Sequence, residues 1–265
     1  GSDYGEGRTT CPECSSSRKK KNEKCLSVNI AEGVWTCHHC GWSGGLNNGN
    51  GSGDNFKAAP SVIKSAQKPD FKYSSDLPED VYSFLVDERC IPDHVLQRNK
   101  VCSKNGAIQF PYLKDEECVN IKYRTLDKKF WQSGGTEKIV YGYDDIGDDC
   151  LIWVEGEMDK LAVEAAGFKS CVSVPDGASP VDAKNYNTKF EFLENCESKL
   201  LNVENHVLAV DNDGPGETLQ KELARRLGIE KCKLVAWPGG CKDANDVLTK
   251  HGKNTLKECI EKAQP

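Results

Sequence analysis

The sequence predicts an α/β protein with a small β module at its N-terminus. Short apolar runs alternate with amphipathic stretches from residue 151 to residue 237, and this alternation is typical of a mainly parallel sheet covered by helices. Two Cys-x-x-Cys pairs lie near the N-terminus, and a stretch rich in Gly and Asn follows them. We therefore expect the 265 residues to form a small cysteine-rich module, a tether and a larger α/β domain.

The N-terminal cysteines have the spacing of a zinc ribbon. Cys11 and Cys14 form one pair, Cys37 and Cys40 form the other, and alternating strand-like segments lie between them. Four thiolates suit tetrahedral Zn²⁺, and a segment this short usually needs a metal or disulfides to stay folded. We expect one structural zinc ion, held by these four sulfur atoms, within residues 1–46.

Other side chains near the cysteines leave the zinc ligand set open, because Cys25, His38 or His39 could replace one of the four sulfur atoms. The basic residues between the pairs form either a solvated loop or a surface that follows phosphates. The candidates for contact with DNA are basic, aromatic and imidazole side chains: Arg18, Lys19, Lys20, Lys21, Trp35, His38 and His39.

A tether follows the cysteine-rich module. Residues 44–53 are nearly all Gly, Asn or Ser, a composition that cannot form a core. We expect a flexible linker at 47–68 that lets the module move relative to the larger domain.

A basic strand is expected in the middle of the chain. Lys122 and Arg124 alternate with other residues, so a strand places both cations on one face, toward nucleic acid or a triphosphate. Lys128, rather than Lys129, is expected to extend this basic patch. The alternative is an ordinary exposed edge strand whose cations pair with acids such as Asp127.

Aromatic residues follow the basic strand, and they have two possible roles. In the more common case they belong to the core, whereas in single-strand binders such rings stack on bases. The residues concerned are Phe130, Trp131, Tyr141 and Tyr143.

Acidic residues stand where two predicted buried strands end. Glu155 and Asp159 follow the first strand, and Asp211 and Asp213 follow the second. In an open parallel sheet such strand ends line the crevice where ligands bind, and clustered carboxylates are ligands that Mg²⁺ prefers. The pattern predicts a divalent-metal site that handles phosphates. The alternative is that these acids merely begin turns and helices.

The order of predicted elements supports a parallel sheet, since strand and helix alternate and glycines end two of the helices. The elements expected, in chain order, are a helix at 78–89, strands at 107–112, 118–123 and 151–154, a helix at 157–166, a strand at 171–174, a helix at 187–201, a strand at 206–210, a helix at 216–227 and a strand at 232–237.

The acidic motifs resemble those of a known family. EGEMDKL after one strand, DNDG after a later strand and KDAND beyond it are similar to the Toprim domain of primases, which topoisomerases and some nucleases share. SVPDGAS, DNDGPGE, ELARRLG and KDANDVL resemble plant-like members of the phage-type primase-helicase family, which includes the organellar Twinkle proteins. The resemblance covers most of the chain. It implies a bilobed RNA polymerase domain at 69–265, with a basic subdomain at 69–147, a Toprim subdomain at 148–240 and a helical segment at 241–265.

The resemblance also implies roles for individual residues. Glu155 would act as general base or would organise the metal, and the aspartates would hold two Mg²⁺ or Mn²⁺ ions. Asp213 could equally support a ligand without touching the metal. The implied catalytic positions are Glu155, Asp159, Asp211, Asp213, Asp243, Lys122, Arg124 and Lys128. The implied ligands of the catalytic metal are Glu155, Asp211, Asp213 and Asp243.

The activity that the resemblance implies is that of a DNA-directed RNA primase. Such an enzyme reads single-stranded DNA, joins ribonucleoside triphosphates into a short primer by metal-dependent nucleotidyl transfer, and leaves the primer to a DNA polymerase. Two alternatives stay open, a catalytically inactive single-stranded DNA-binding module of a replicative helicase and a Toprim nuclease. The chain contains no phosphate-binding motif of the helicase type, so we expect the family's helicase domain to follow it in a longer protein.

Composition limits where the chain binds and where it acts. A formal net charge of −6 argues against a general coating of DNA, so local basic patches must carry the binding. Most of the fourteen cysteines lie outside the zinc motif at irregular spacing, as free thiols do in a reducing compartment. No apolar run is long enough to predict a membrane span. The resemblance favours a mitochondrion or plastid, reached with a targeting peptide that precedes these residues, and the alternative is a phage protein in its host's cytoplasm.

Overall fold

The chain forms two compact units, Gly1–Ser65 and Ala66–Pro265. Most of the predicted linker at 47–68 lies outside the described residues, and so do Lys19 and Lys20. The predicted domain boundaries stay predictions. The computed structural model describes residues 6–16, 18, 21–30, 33–45, 66–178 and 187–265.

The first unit contains a four-stranded antiparallel sheet in the order β1-β2-β3-β4. Its core consists of cysteines and Leu26, with Trp35 and Trp42 packed against it. The two indole rings lie 5.3 Å apart between centroids. A segment with so small an apolar core usually needs a metal or disulfides to stay folded. The strands are β1 (Glu6–Thr9), β2 (Leu26–Asn29), β3 (Val34–Cys37) and β4 (Ser43–Gly45).

The second unit begins with two short helices and an antiparallel sheet in the order β5-β6-β7-β8. The helix predicted at 78–89 is a short α-helix continued by a π-helix, Phe84–Glu88. Strand β7, which carries Lys122 and Arg124, lies between β6 and β8, so it is an inner strand rather than an exposed edge. The elements are α1 (Glu79–Ser83), α2 (Asp93–Arg98), β5 (Cys102–Lys104), β6 (Ala107–Lys114), β7 (Glu117–Thr125) and β8 (Phe130–Gln132).

A parallel sheet in the order β10-β9-β11-β12 forms the rest of the second unit. Strand β9 is central and buried after its first residue, which explains its uninterrupted apolar run. The mixed α/β fold with a parallel sheet that the sequence predicts is confirmed. The strands are β9 (Cys150–Val154), β10 (Cys171–Ser173), β11 (Asn205–Leu208) and β12 (Cys232–Leu234). The helices are α3 (Glu157–Ala165), α4 (Glu191–Asn195), α5 (Glu197–Leu200), α6 (Gly214–Leu227) and α7 (Ala244–Glu261).

The single helix predicted at 187–201 is wrong. The segment is a 3₁₀ turn, Asn187–Phe190, followed by α4 and α5, which break at Cys196 with φ −105° and ψ 0°. Leu201 is 72% exposed, so the apolar spacing that suggested one helix does not correspond to one buried face. Among the described residues, no helix combines the length and the apolar character needed to cross a membrane.

A buried ionic network fixes α3, the helix that begins at the acidic motif. The fully buried Lys160 donates hydrogen bonds to Asn99 Oδ1 at 2.5 Å, Asp145 Oδ2 at 2.7 Å and Glu164 Oε2 at 2.8 Å. Arg98 pairs with the same two acids from α2. All three donors of the ammonium are satisfied, which is the condition under which a buried charge is tolerated.

Replacing Lys160 with Met should destabilise the second unit by about 3 kcal/mol, because it leaves buried carboxylates with only the Arg98 guanidinium to compensate them. Urea denaturation gives the free energy of unfolding. Lys169→Met, at an exposed position, is the control and should change it by less than about 0.5 kcal/mol. Equal stability of the two variants would show that the network does not hold α3.

Candidate active site and zinc centre

The acidic residues of the second unit gather at the carboxyl ends of adjacent parallel strands. Glu155 directly follows β9, and Asp211 follows the extended residues after β11. Asp159 lies in the first turn of α3, and Asp243 is the N-cap of α7, where its carboxylate accepts from the Asp246 N–H at 2.7 Å. The parallel sheet thus brings together groups from three distant parts of the chain.

The turn after β11 holds Asp211 and Asp213 in fixed positions. Asp213 caps α6 by accepting a hydrogen bond from the Gly216 N–H at 2.9 Å. A Cβ atom on Gly216 would lie 2.0 Å from the Asp211 carbonyl oxygen, so any other residue would force the turn open. The glycine keeps both carboxylates beside the helix N-terminus.

Two of the acids carry strongly perturbed pKa values. Burial, and then the nearby Asp211 carboxylate, raise the pKa of Glu155 to about 7. Glu155 Oε1 accepts from the Ala178 N–H at 3.0 Å, whereas its Oε2 is buried with no hydrogen-bond partner. Burial and the Asp243 carboxylate raise the pKa of Asp159 well above its ordinary value. The site therefore holds more negative charge than its own hydrogen bonds compensate.

Lys242 partly compensates this charge, and sequence reasoning missed its role. Its Nζ lies 2.9 Å from Asp211 Oδ2 and 3.0 Å from Asp213 Oδ2. Burial raises the pKa of Asp211 despite this partner. For Asp213, burial acts in the same direction, but the Gly216 N–H and the ammonium outweigh it and lower the pKa. An ammonium thus lies between two carboxylates, as a bound cation would.

These donors fit a divalent cation that is shared with a substrate. Buried carboxylates with raised pKa values, and an oxygen atom of Glu155 that lacks a partner, favour a cation nearby. Within the described residues, no three of the carboxylates bring their oxygens within 4.8 Å of one another, so the acids alone do not enclose an ion. Mg²⁺ is commonly bound in this way, by one or two carboxylates plus substrate phosphates and water.

Next to the acids lies a cavity of about 690 Å³. Glu155, Asp159 and Asp211 line it, and so do Lys122 and residues of β8, but Asp213 and Asp243 do not. A cavity of this size can hold a nucleotide.

The basic residues of β7 are buried, and they face two different cavities. Lys122 lines the large cavity, where its Nζ donates to Glu157 Oε1 at 2.9 Å and to the Pro175 carbonyl at 3.0 Å. Arg124 lines a second cavity of about 500 Å³ together with Lys128. Burial and the neighbouring Arg89 lower the pKa of Arg124 to about 10, and its Nη1 is buried without a partner. Lys129 instead pairs with Asp127 at 2.8 Å.

Two further residues of the site were not foreseen from the sequence. Glu157 is buried and accepts hydrogen bonds from Lys122 and from the Tyr112 hydroxyl, the latter at 2.6 Å. An acid in the first turn of a helix is usually exposed, so the local pattern does not predict its burial. Asn245 is also buried, and its N–H donates to Asp159 Oδ1 at 3.0 Å. Only the position of Glu157 beside Glu155 in one motif could have indicated its role.

In the first unit, the four predicted cysteines lie together. Their sulfur atoms all lie within 4.8 Å of one another, with Cys11 and Cys40 3.7 Å apart and Cys14 and Cys37 3.8 Å apart. Tetrahedral zinc with bonds of about 2.3 Å requires about 3.8 Å between sulfur atoms, far more than the roughly 2.05 Å of a disulfide. The four sulfur atoms therefore fit one Zn²⁺ ion. Cys25 Sγ approaches Cys37 Sγ at 3.6 Å without belonging to this group.

The predicted DNA-contacting residues of this unit have different environments. Trp35 is half-buried against Trp42, while His38 is exposed, with its Nε2 2.8 Å from Ser27 Oγ. A cleft of about 360 Å³ joins several of the basic and imidazole side chains: Arg8, Arg18, Lys24, His38 and His39. Lys21 is exposed outside the residues that line this cleft.

Comparison with known proteins agrees with this architecture. A Toprim domain family model matches residues 149–236. The Primase homolog protein of Arabidopsis thaliana is 39% identical over 96% of this chain and 80% of its own length. The chloroplastic/mitochondrial Twinkle homolog protein of the same plant is 38% identical over 96% of this chain, which spans only 38% of that relative.

A solved structure has the same fold. The primase fragment of the bacteriophage T7 primase-helicase protein aligns with a TM-score of 0.55 and 18% identity, over 96% of this chain and 98% of that one. The family resemblance inferred from the acidic motifs is thereby confirmed. The chain belongs to the family of plant primase and Twinkle homologues, because it is 39% identical to the Arabidopsis primase homologue over 80% of that protein's length.

Proposed function

We propose that this protein is a DNA-directed RNA primase that synthesises short RNA primers on single-stranded DNA by metal-dependent nucleotidyl transfer. The observation that carries the proposal is the cavity at the carboxyl ends of the parallel strands. Buried acids of raised pKa and the Lys122 ammonium line this one cavity, which is large enough for a nucleotide. The name of the Arabidopsis primase homologue supports the same activity.

The protein's own groups would divide the work of an in-line transfer. Mg²⁺ or Mn²⁺, held by Glu155, Asp211, Asp213 and Asp243, would lower the pKa of the attacking hydroxyl and offset the triphosphate charge. The alternative role of Glu155 is that of general base for the hydroxyl proton, and a pKa of about 7 suits a base near neutral pH.

The cations would hold the substrates. Glu157 and the Pro175 carbonyl fix the Lys122 ammonium at the cavity wall, so Lys122 would bind the triphosphate without first having to be ordered. Arg124 and Lys128, in the second cavity, would bind phosphates of the template or of the triphosphate. Asp159, buried and hydrogen-bonded by Asn245, would support the metal ligands.

The zinc module would choose the template site through the cleft that contains His38 and His39. We further propose a fused helicase domain and a DNA polymerase that receives the primer. The site of action would be a mitochondrion or plastid, as the name of the Twinkle homologue indicates for that protein.

Incubation of the protein with randomised single-stranded DNA, Mg²⁺ or Mn²⁺ and labelled ribonucleotides tests the proposed function. We expect short labelled oligoribonucleotides that require both the template and the metal ion. Cleavage of labelled DNA without nucleotides would instead identify a nuclease. Tight template binding without product would identify an inactive binding module.

The affinity for the divalent cation should rise as the pH increases through about 7. Below this pH Glu155 binds a proton, and a protonated carboxyl is a poor metal ligand, so proton and cation compete. Titrations of Mn²⁺ followed by electron paramagnetic resonance at pH 6 and pH 8 would measure the change. In the Glu155→Gln variant the affinity for Mn²⁺ should depend less on pH. An unchanged pH dependence would mean that another group controls the affinity.

A further inference from the structure

An exposed aromatic ring shares the face of β7 and β8 that carries the basic residues. Phe130 pairs with Arg124 across the two antiparallel strands, and cross-strand partners point to the same face. Successive residues of a strand point to opposite faces, so Trp131 lies on the other one. There its ring stacks on Tyr123, with centroids 5.1 Å apart and planes 3° apart. The aromatic residues after the basic strand therefore have distinct environments, and Tyr141 and Tyr143 are buried in the core.

Phe130 lies among cations at the edge of the large cavity. Lys122 Nζ and the Arg124 guanidinium carbon each lie 5.8 Å from the centre of its ring. The ring is nevertheless 54% exposed, although burial of a Phe side chain is worth about 1.5–3 kcal/mol. An exposed apolar ring in a cavity lined by charged groups indicates a ligand surface.

The strand that carries Phe130 is fixed next to the acids. Gln132 Nε2 donates hydrogen bonds to the Pro175 carbonyl at 3.0 Å and to Asp176 Oδ1 at 2.9 Å. The same Pro175 carbonyl accepts from Lys122 Nζ. The aromatic ring and the ammonium are thus held by one loop that follows β10, so their relative position is set before a ligand arrives.

We propose that Phe130 is a stacking platform for a nucleobase whose phosphates lie against Lys122. A nucleotide combines an aromatic face with an anionic group, and this cavity combines an exposed ring with an ammonium 5.8 Å from its centre. The inference rests on the proposed primase function, which supplies two sources of such a base, a ribonucleoside triphosphate and the template strand.

Comparison of ATP with inorganic tripolyphosphate separates the base from the phosphates. In calorimetric titrations with Mg²⁺ present, the wild-type protein should prefer ATP by about tenfold or more, the value of one base stacked on an aromatic side chain. Phe130→Leu should lose most of this preference, and Phe130→Tyr should keep it. Tyr73→Leu is the matched control, because it removes a ring that is exposed but does not line the cavity, and it should keep the preference too.

A second comparison identifies the source of the base. A single-stranded oligonucleotide and its abasic counterpart are titrated into the same variants. If Phe130→Leu loses the preference for ATP over tripolyphosphate, the stacked base belongs to the ribonucleotide. If it loses the preference for the intact over the abasic oligonucleotide, the base belongs to the template. An unchanged preference in both arms overturns the proposal. Because these readouts need no catalysis, a wild-type protein that stacks bases but makes no primer would count against the proposed function alone.

Discussion

Primer synthesis should fall at least about 10³-fold when Asp211 is replaced by Asn. Asp211 lines the cavity and stands at the carboxyl end of the parallel sheet, so the amide would remove charge where the catalytic cation binds. A cation that stabilises transition-state charge contributes several kcal/mol, and about 4 kcal/mol corresponds to 10³-fold in rate. The measurement is the rate of incorporation of labelled ribonucleotides at saturating Mg²⁺.

The same substitution should leave the protein as stable or make it more stable. Burial raises the pKa of Asp211, which means that the folded state disfavours the charge that the amide removes. Loss of activity therefore cannot be attributed to unfolding, and urea denaturation would verify this. Asp149→Asn is the matched control, since Asp149 is exposed just before the start of β9, at the opposite end of the sheet. Near-normal activity of Asp211→Asn would remove this residue from the metal site.

Replacement of Cys14 by Ala should abolish zinc binding and unfold the first unit. Structural zinc supplies on the order of 10 kcal/mol of folding free energy in small ribbons, more than the few apolar residues of this unit can replace. Zinc content measured by mass spectrometry should fall from one ion per chain to none. Primer initiation should fall with it, because the module would no longer present the template.

Cys25→Ala separates the four proposed ligands from their neighbour. Cys25 is buried and its sulfur lies 3.6 Å from that of Cys37, so the variant disturbs the same small core without removing one of the four sulfur atoms. It should retain one zinc ion. Loss of zinc from Cys25→Ala, or its retention by Cys14→Ala, would show that the ligand set is different.

Features that depend on neighbouring residues were predictable from the sequence. The two cysteine pairs were predictable because their spacing is local, and Glu155 and Asp211 because each directly follows an apolar run, whereas Asp243 came only from the family resemblance. Neither signal required knowledge of how distant segments pack. The sequence also predicted Cys25 as a possible ligand, and only the folded sheet shows that its sulfur atom lies beside the four without belonging to their group.

Features that depend on packing between distant segments were not predictable. Glu157 is buried because Lys122 and Tyr112, on two other strands, donate to it, and neither contact leaves a trace in the local pattern. Lys242 meets Asp211 only because the loop before α7 returns to the end of β11. The separation of Lys122 from Arg124 into different cavities has the same origin. The alternation of side chains along a strand predicts that the two residues share a face, but it does not predict which segments pack over each of them.

Diffraction from crystals soaked with Mn²⁺ and a ribonucleoside triphosphate tests the central claim, that the acids at the ends of β9 and β11 bind the catalytic cations. We expect anomalous density within about 2.2 Å of carboxylate oxygens of Glu155 and Asp211, with the Lys242 ammonium displaced from Asp211. Nucleotide density in the cavity with Lys242 still paired to Asp211, and with no Mn²⁺ at these acids, would contradict the account.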